Sequence, residues 1–321
     1  MTEAQAVKPA YTDVRDAFFE VLYERALTDR NLLLLMADQG ALTFEKFKRH
    51  IPRQFMNVGI SEQNVIGVAA GLALKGKTVV AHAIIPFITL RCFEQIRVDL
   101  CCLNLPVILV GVGAGYAYST EGPTHHAVTD LAVMRSLPNM QIWNPSDHDM
   151  IGSLVPTWCT SPGPKYVRLD KGAFPSIYGS DQHDFSEGVS ALRTGSDLMI
   201  VATGVMVHQA LKLAHELERY AMHAGVVDLY RVKPINEQRL LELLLNAKRI
   251  VTLEENSLIG GIGSLVAELL ADHGWPRPLK RLALSDQFRF ELGSRERLQA
   301  LDGLDLERLT ARLLEWVAGR A

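Results

Sequence analysis

Cysteine is scarce in this chain. Only Cys92, Cys101, Cys102 and Cys159 occur in 321 residues, and none stand in Cys-x-x-Cys spacing. That argues against a zinc ribbon or dithiol redox motif and reads as reduced packing thiols, as expected of a cytoplasmic protein. Long apolar runs are missing too. The longest, Leu32–Ala37 and Leu105–Val112, fall far short of the ~20 residues that cross a bilayer. Residues 1–10 include Glu3 and Lys8 and no apolar core, so no secretory signal is expected there. Neither charge sign dominates: 33 basic against 36 acidic residues leave a net −3, no field to hold a polyanion. Neither a nucleic-acid nor a membrane partner is expected.

What is present is ordinary globular material. Apolar residues make up 48% and charged residues 21%, which excludes a disordered chain, and the length fits about two domains. Short apolar runs alternate with amphipathic stretches. Helical spacing covers Val14–Leu27, Glu62–Leu74, Thr89–Leu103, Ala127–Ser136 and a segment ending at Trp158. Strands are expected at Leu32–Met36, Thr78–Ile85, Val107–Val112, Met140–Trp143 and Lys165–Leu169. Lys171–Glu187 breaks the pattern with Gly172, Pro175 and Gly179 and reads as a linker.

The alternation then resumes. Strands are expected at Leu198–Thr203, Ala224–Arg231, Ile250–Glu254 and Leu279–Ala283, with helices at Val205–Met222, Asn236–Asn246 and Ile262–His273. This predicts an α/β fold of two doubly wound domains, residues 1–187 and 188–321. Ligands of such sheets sit beyond the carboxyl ends of the strands. The loops around Asp38, Pro86-Phe87, Gly113–Thr124 and Arg168 are therefore the ones to inspect.

Two glycine-rich segments invite a nucleotide reading. Gly111-Val112-Gly113-Ala114-Gly115 ends a strand, but Tyr116–Pro123 follows it where the dinucleotide fingerprint needs a helix. A backbone lying close to a ligand or partner fits better. Gly260-Gly261-Ile262-Gly263-Ser264 does precede a helix, yet Glu254-Glu255 stands before it and would repel phosphate, so capping and tight packing explain it.

Glu62 falls in the first turn of a helix followed by Val65, Ile66 and Val68. It is either a capping carboxylate that favours the helix dipole or a carboxyl set in an apolar wall, sharing a proton with a ligand nitrogen. His125 and His126 are adjacent, and adjacent side chains rarely converge on one metal ion. An imidazole bonding a substrate hydroxyl or carbonyl fits His125, and surface exposure remains open for His126. Arg168 ends a strand at the same edge. It is either in a salt bridge with Asp170 or a neighbouring loop, or an anion clamp.

The run Asn57-Val58-Gly59-Ile60-Ser61-Glu62-Gln63-Asn64, followed by Ala69-Ala70-Gly71-Leu72-Ala73, Phe87, Arg91, Glu121-Gly122-Pro123-Thr124-His125, Leu137-Pro138-Asn139-Met140 and Pro145-Ser146-Asp147, resembles the pyrimidine-binding domain of transketolases. It also resembles 1-deoxyxylulose-5-phosphate synthase. The second half is similar to their C-terminal domain, with Thr203-Gly204 and Glu254-Glu255 in place. Full-length transketolases carry a Gly-Asp-Gly motif that holds Mg²⁺ and the diphosphate of thiamine diphosphate, and no Gly-Asp-Gly occurs here.

The chain is thus similar to the C-terminal subunit of a split transketolase. The resemblance implies an N-terminal, diphosphate-binding partner subunit that holds Mg²⁺, an α₂β₂ assembly, and transfer of a two-carbon ketol unit between sugar or sugar phosphate substrates.

The resemblance also implies residue roles. Glu62 would bond the aminopyrimidine ring nitrogen and promote the imino tautomer that deprotonates the thiazolium carbon. Phe87 would pack on the pyrimidine, with Arg91 and Phe93 nearby; one extra residue lies between Phe87 and Arg91 relative to the synthase pattern. Asp38 matches a residue near the thiazolium side. His125 would contact donor oxygens and Arg168 a sugar phosphate. Glu121 stands where the family usually has Asp, reaching ~1.5 Å further, which implies an unusual ketose, a branched sugar or an α-keto donor.

Two other classes fit parts of the pattern. The β-subunit of a 2-oxo acid dehydrogenase shares the fold and lacks the diphosphate motif, but usually has a His-Ser pair where this chain has Thr124-His125-His126. A non-catalytic regulatory subunit is the other, against which Glu62, Phe87 and His125 argue.

Overall fold

The computed structural model describes residues 11–38, 40, 42–179 and 183–319. The stretch 1–10, where no secretory signal is expected, Gln39, and residues 180–182 of the expected linker lie outside them. The first half runs β1 (Tyr11–Asp13), α1 (Val14–Thr28), β2 (Leu32–Met36), α2 (Leu42–His50), β3 (Phe55–Asn57), α3 (Glu62–Leu74) and β4 (Thr78–Ile84). It continues through the short turns α4 (Ile85–Ile88) and α5 (Phe93–Gln95), then β5 (Val107–Val112), α6 (Asp130–Arg135), β6 (Gln141–Trp143), α7 (Ile151–Thr160), β7 (Lys165–Leu169) and β8 (Ala173–Pro175). The second half holds β9 (Val189–Arg193), β10 (Leu198–Ala202), α8 (Met206–Glu218), β11 (Ala224–Leu229), β12 (Arg231–Lys233) and α9 (Glu237–Leu244). It ends with β13 (Arg249–Ser257), α10 (Ile262–Asp272), β14 (Leu279–Leu284), α11 (Arg295–Leu301) and α12 (Leu306–Val317).

The first sheet has the order β12-β6-β7-β5-β4-β2-β3, parallel except for β12. Alternate side chains of its central strands face opposite cores, as the pleat requires. Val79, Ala81 and Ala83 pack with α3 and α6, whereas Ile108, Val110 and Val112 pack with α1, α2 and α7. The second sheet has the order β14-β13-β10-β11-β9, with only β9 antiparallel. Helices α8, α11 and α12 cover one face, and α9 and α10 join the cluster that runs on from the first sheet. The chain winds in opposite directions on either side of β2, since β3 lies to one side and β4 to the other. That is the switch point at which open sheets of this kind bind ligands.

Several expectations need correction. The helix expected over Thr89–Leu103 is α5 followed by a wide π-helical turn, Ile96–Cys102. The strand expected over Ala224–Arg231 breaks at Tyr230, whose carbonyl accepts from Asn144 N at 2.8 Å while the chain passes to the first sheet as β12. An unbroken buried apolar run hides that crossing. The described part of the expected linker, 171–179 and 183–187, has structure of its own. It contains β8, paired with β1, and seats Phe185 in the core with Tyr178 against it. Among the described residues no helix is long and apolar enough to cross a membrane.

Candidate active site at the sheet switch point

The carboxyl ends of β2 and β3 are tied by one side chain. Asn57 donates from Nδ2 to Asp38 Oδ1 at 3.1 Å, and its Oδ1 accepts from Asp38 N and Gly59 N. Gly59 takes φ +75°, a conformation costly for other residues, and the chain then turns into α3 with Glu62 as its first residue. The apolar face of this helix goes inward through Val65, Ile66 and Ala69. It carries the Glu62 side chain with it, leaving that side chain 4% exposed. Ser61 makes no side-chain cap. Glu62 is instead held by Arg91, whose Nη1 donates to Oε2 at 2.7 Å. Among the described residues nothing donates to Oε1.

Arg91 also lies over the Phe87 ring, 4.4 Å from its centroid, a cation–π geometry. Phe87 meets the edge of the His125 ring at 5.0 Å, and His125 meets Tyr118 at 6.0 Å. Lys171 Nζ caps the row, 4.3 Å from the Tyr118 centroid. Burial, together with the nearby Glu62 charge, pushes the Cys92 thiol up to about 12; it bonds Phe87 O and is not a nucleophile at neutral pH. Glu121 is exposed beside this row and accepts from Thr120 Oγ1 at 2.9 Å. The structure therefore brings Glu62, Arg91, Phe87 and His125 into one row, with Asp38 beside it through Asn57 and Glu121 on the His125 loop.

Two expected residues are not brought there. Phe93 packs against the core cluster of Ile66 and Ile96 and, among the described residues, shares no ring contact with Phe87 or His125. Arg168, expected as a phosphate clamp, lies in the core with its side chain 4% exposed. Its Nε donates to Asp130 Oδ2 at 2.8 Å, and its Nη2 donates to Ala127 O and Glu255 O. A guanidinium held on those three sides is a structural ion pair. The cation that does reach the ring row is Lys171, two residues past β7. In the sequence it falls within the expected linker, and its one signal is that it follows the same strand end as Arg168.

The glycine segments and the second histidine resolve similarly. A Cβ on Gly113 would collide with the Tyr118 ring, and one on Gly115 would collide with the Glu255 carboxylate. What approaches that backbone is the protein itself. Arg295 locks the contact, joining Glu255 to Asp170 and to Ala114 O. At Gly260–Ser264, Glu254 accepts from Ile262 N and Gly263 N, each at 2.8 Å; burial raises its pKa to about 7. A carboxylate thus occupies the seat a phosphate would need. His126 is buried against Tyr116 while His125 faces Phe87, so the two rings do not converge on a metal.

Asp147, His148 and Asp149 bring ligand atoms within 4.8 Å of one another, but Asp147 is engaged by the backbone N–H groups of Asp149, Ile177 and Tyr178.

An aminopyrimidine fits the row: a buried carboxylate with one oxygen unclaimed stands beside a flat aromatic ring. These features belong to the thiamine-diphosphate-dependent class of folds. The chain belongs to the transketolase family: the transketolase pyrimidine-binding domain matches residues 10–176 and the transketolase C-terminal domain matches residues 188–309.

Individual proteins agree. One of the subunits of an apulose-4-phosphate transketolase from Phocaeicola vulgatus is 34% identical over 305 residues, covering 94% of this chain and 97% of that one. The SqwH subunit of a 6-deoxy-6-sulfo-D-fructose transketolase from a Clostridium species is 34% identical over 293 residues, 91% of this chain and 90% of its own. A 1-deoxy-D-xylulose-5-phosphate synthase from Neisseria gonorrhoeae is also 34% identical, but this chain spans 48% of its length.

Among solved structures, a split-gene transketolase described as an inactive β4 tetramer superimposes with TM-score 0.84 at 34% identity, covering 94% of this chain and 97% of that one. A transketolase from Pichia stipitis shares the fold at TM-score 0.82 and 20% identity, covering 97% of this chain and 46% of its own. These relatives do not favour a 2-oxo acid dehydrogenase β-subunit or a non-catalytic regulatory subunit.

Proposed function

We propose that this chain supplies the pyrimidine half of the active site of a thiamine-diphosphate-dependent transketolase, moving a two-carbon ketol unit between sugar or sugar phosphate substrates. The observation that carries this reading is the buried Glu62 carboxylate, held by Arg91 on one oxygen and open on the other, beside the Phe87 ring. Bound thiamine diphosphate would supply a carbon able to hold the ketol unit as a carbanion equivalent. Glu62 Oε1 would share a proton with the coenzyme's ring nitrogen, Phe87 would give the ring a flat wall, and Arg91 would fix the carboxylate's direction. Asp38, oriented by Asn57, would face the thiazolium side. His125 would meet substrate oxygens, and Lys171 supplies the positive charge an anionic substrate needs.

A partner subunit carrying the diphosphate- and Mg²⁺-binding domain completes the centre in this reading, in an α₂β₂ assembly. The chain is read as two domains, residues 1–187 and 188–321. Relatives named for apulose 4-phosphate and for 6-deoxy-6-sulfo-D-fructose support a modified or branched ketose as donor, and Glu121 is the residue we assign to reading it.

The test is reconstitution with a diphosphate-domain chain. The isolated protein should bind thiamine diphosphate weakly and transfer no ketol unit, while the pair should turn over. Glu62→Gln in the pair should lower kcat by about 10²–10⁴-fold with assembly intact. Full turnover by the isolated chain would refute the shared centre.

A further inference from the structure

The loop between β14 and α11 presents three large apolar side chains to solvent: Phe288 is 75%, Phe290 74% and Leu292 54% exposed. Single exposed apolar residues need no explanation, but a cluster of this kind marks an interaction surface. This loop is not a loose one. At its start the Asp302 carboxylate, whose side chain is 0% exposed, accepts from Ser285 N and Oγ and from Arg289 Nε and Nη2. Arg289 stands between the two phenylalanines in the chain, so this anchor holds the backbone from which both project. At its far end Arg295 is clamped to Asp170 and Glu255.

The same anchor reaches the candidate active site. Asp302 Oδ2 also accepts from Tyr116 OH at 2.8 Å, and Tyr116 belongs to the loop that carries Tyr118, Glu121 and His125. Leu292 Cδ2 is the nearest atom to a Cβ built on Gly122, at 4.0 Å. The apolar loop therefore stands at the rim of the Glu121–His125 segment, and one buried carboxylate positions both. At the other end of the ring row, Glu62 and Arg91 are flanked in the chain by exposed Ile60 (77%) and Leu90 (41%).

We infer that Phe288, Phe290 and Leu292 form a docking surface for the partner subunit that completes the active site. The inference rests on the reading of this site as half of a shared centre, and it adds a contact made by the second domain. A chain that closes over Glu62 from the carboxyl edge of the sheet would meet Ile60 and Leu90 on one side and the phenylalanine loop on the other. A patch on a mount shared with the substrate loop also makes docking and substrate-loop geometry depend on the same residues. A second copy of this chain is the rival occupant.

The experiment compares the intact protein with Phe288→Ser/Phe290→Ser. Both rings are exposed, so circular dichroism and thermal melting of the variant should match the parent. Affinity for a diphosphate-domain transketolase chain, measured by calorimetry, should fall about a hundredfold, roughly tenfold for each buried aromatic anchor. Hydrogen exchange of residues 286–292 should slow when that chain is added to the parent protein.

An unchanged affinity between variant and diphosphate chain, with the parent binding normally, overturns the docking surface and leaves the shared centre standing. A variant whose self-association changes while its binding to the diphosphate chain does not assigns the patch to a second copy and overturns the proposal. A parent that binds no diphosphate chain overturns the shared centre and the docking surface together.

Discussion

Replacing Arg168 with Met tests whether this arginine is structural. The substitution keeps the apolar stem and removes the guanidinium, leaving the Asp130 carboxylate, 1% exposed, with Tyr166 OH as its remaining side-chain donor. Removing one member of a buried pair leaves an uncompensated charge and costs about 3–5 kcal/mol. Ala127 O still accepts from Gly115 N, so the lost charge pairing is the main contribution. At about 2–4 °C per kcal/mol for large domains, Tm should fall by roughly 10 °C.

Arg168→Met/Asp130→Asn should recover much of that loss, with a coupling of about 2 kcal/mol in the double-mutant cycle. Thermal and urea unfolding followed by circular dichroism measure both quantities. A variant that melts within about 2 °C of the parent, yet loses affinity for a sugar phosphate in the assembled enzyme, would refute this reasoning and restore the clamp.

Other outcomes follow from the same geometry. Lys171→Met should raise KM for phosphorylated or sulfonated substrates about tenfold in steady-state assays while Tm stays put, because the ammonium rests on an aromatic face rather than in the core. His82 is buried between Phe19 and Phe44, and Val110 O pairs with its Nδ1; burial lowers its pKa to about 4. The unfolded chain takes that proton near pH 6.5, so stability drains away as pH falls from about 6.5 towards 4. Between pH 7 and 5 the parent should lose about 2 kcal/mol more than His82→Leu does in denaturant titrations; equal losses would refute it. Gly115→Ala should cost more than the ~1 kcal/mol of a left-handed backbone alone, since its Cβ would strike Glu255. Gly122→Ala, whose Cβ would meet only Leu292 Cδ2 at an ordinary 4.0 Å contact, should cost only that.

Much of the fold was legible because long amphipathic helices and buried strands repeat at their own periods. Val14–Thr28, Glu62–Leu74 and the runs at β2, β4, β5 and β7 needed no tertiary information. Helix α2 escaped because, among its described side chains, Phe44 and Phe47 are the apolar ones that reach the core, and Glu45, Lys46, Lys48 and Arg49 are charged. The short strands β8, β9 and β12 owe their state to neighbours rather than to their own pattern. At the site, the place of Glu62 after a strand leaves a capping and a ligand-facing carboxyl both open, and the role of Phe87 comes from the resemblance to transketolases alone. Arg168 is the penultimate residue of β7 and Lys171 lies two residues past its end, and only the fold decides which of the two turns inward. The pairing of Asn57 with Asp38 is equally a matter of two strand ends meeting.

Strand β12 has a practical consequence. Arg231–Lys233 lie along β6 as the last member of the first sheet, and Lys233 Nζ reaches back to Arg135 O and Leu137 O. A truncation at the junction would strip that strand away and leave the outer edge of β6 unpaired, an invitation to edge-to-edge aggregation. The pyrimidine-binding half is therefore not a module to be excised or grafted on its own. Shuffling these halves between homologues should succeed only where residues 231–233 travel with the sheet they finish.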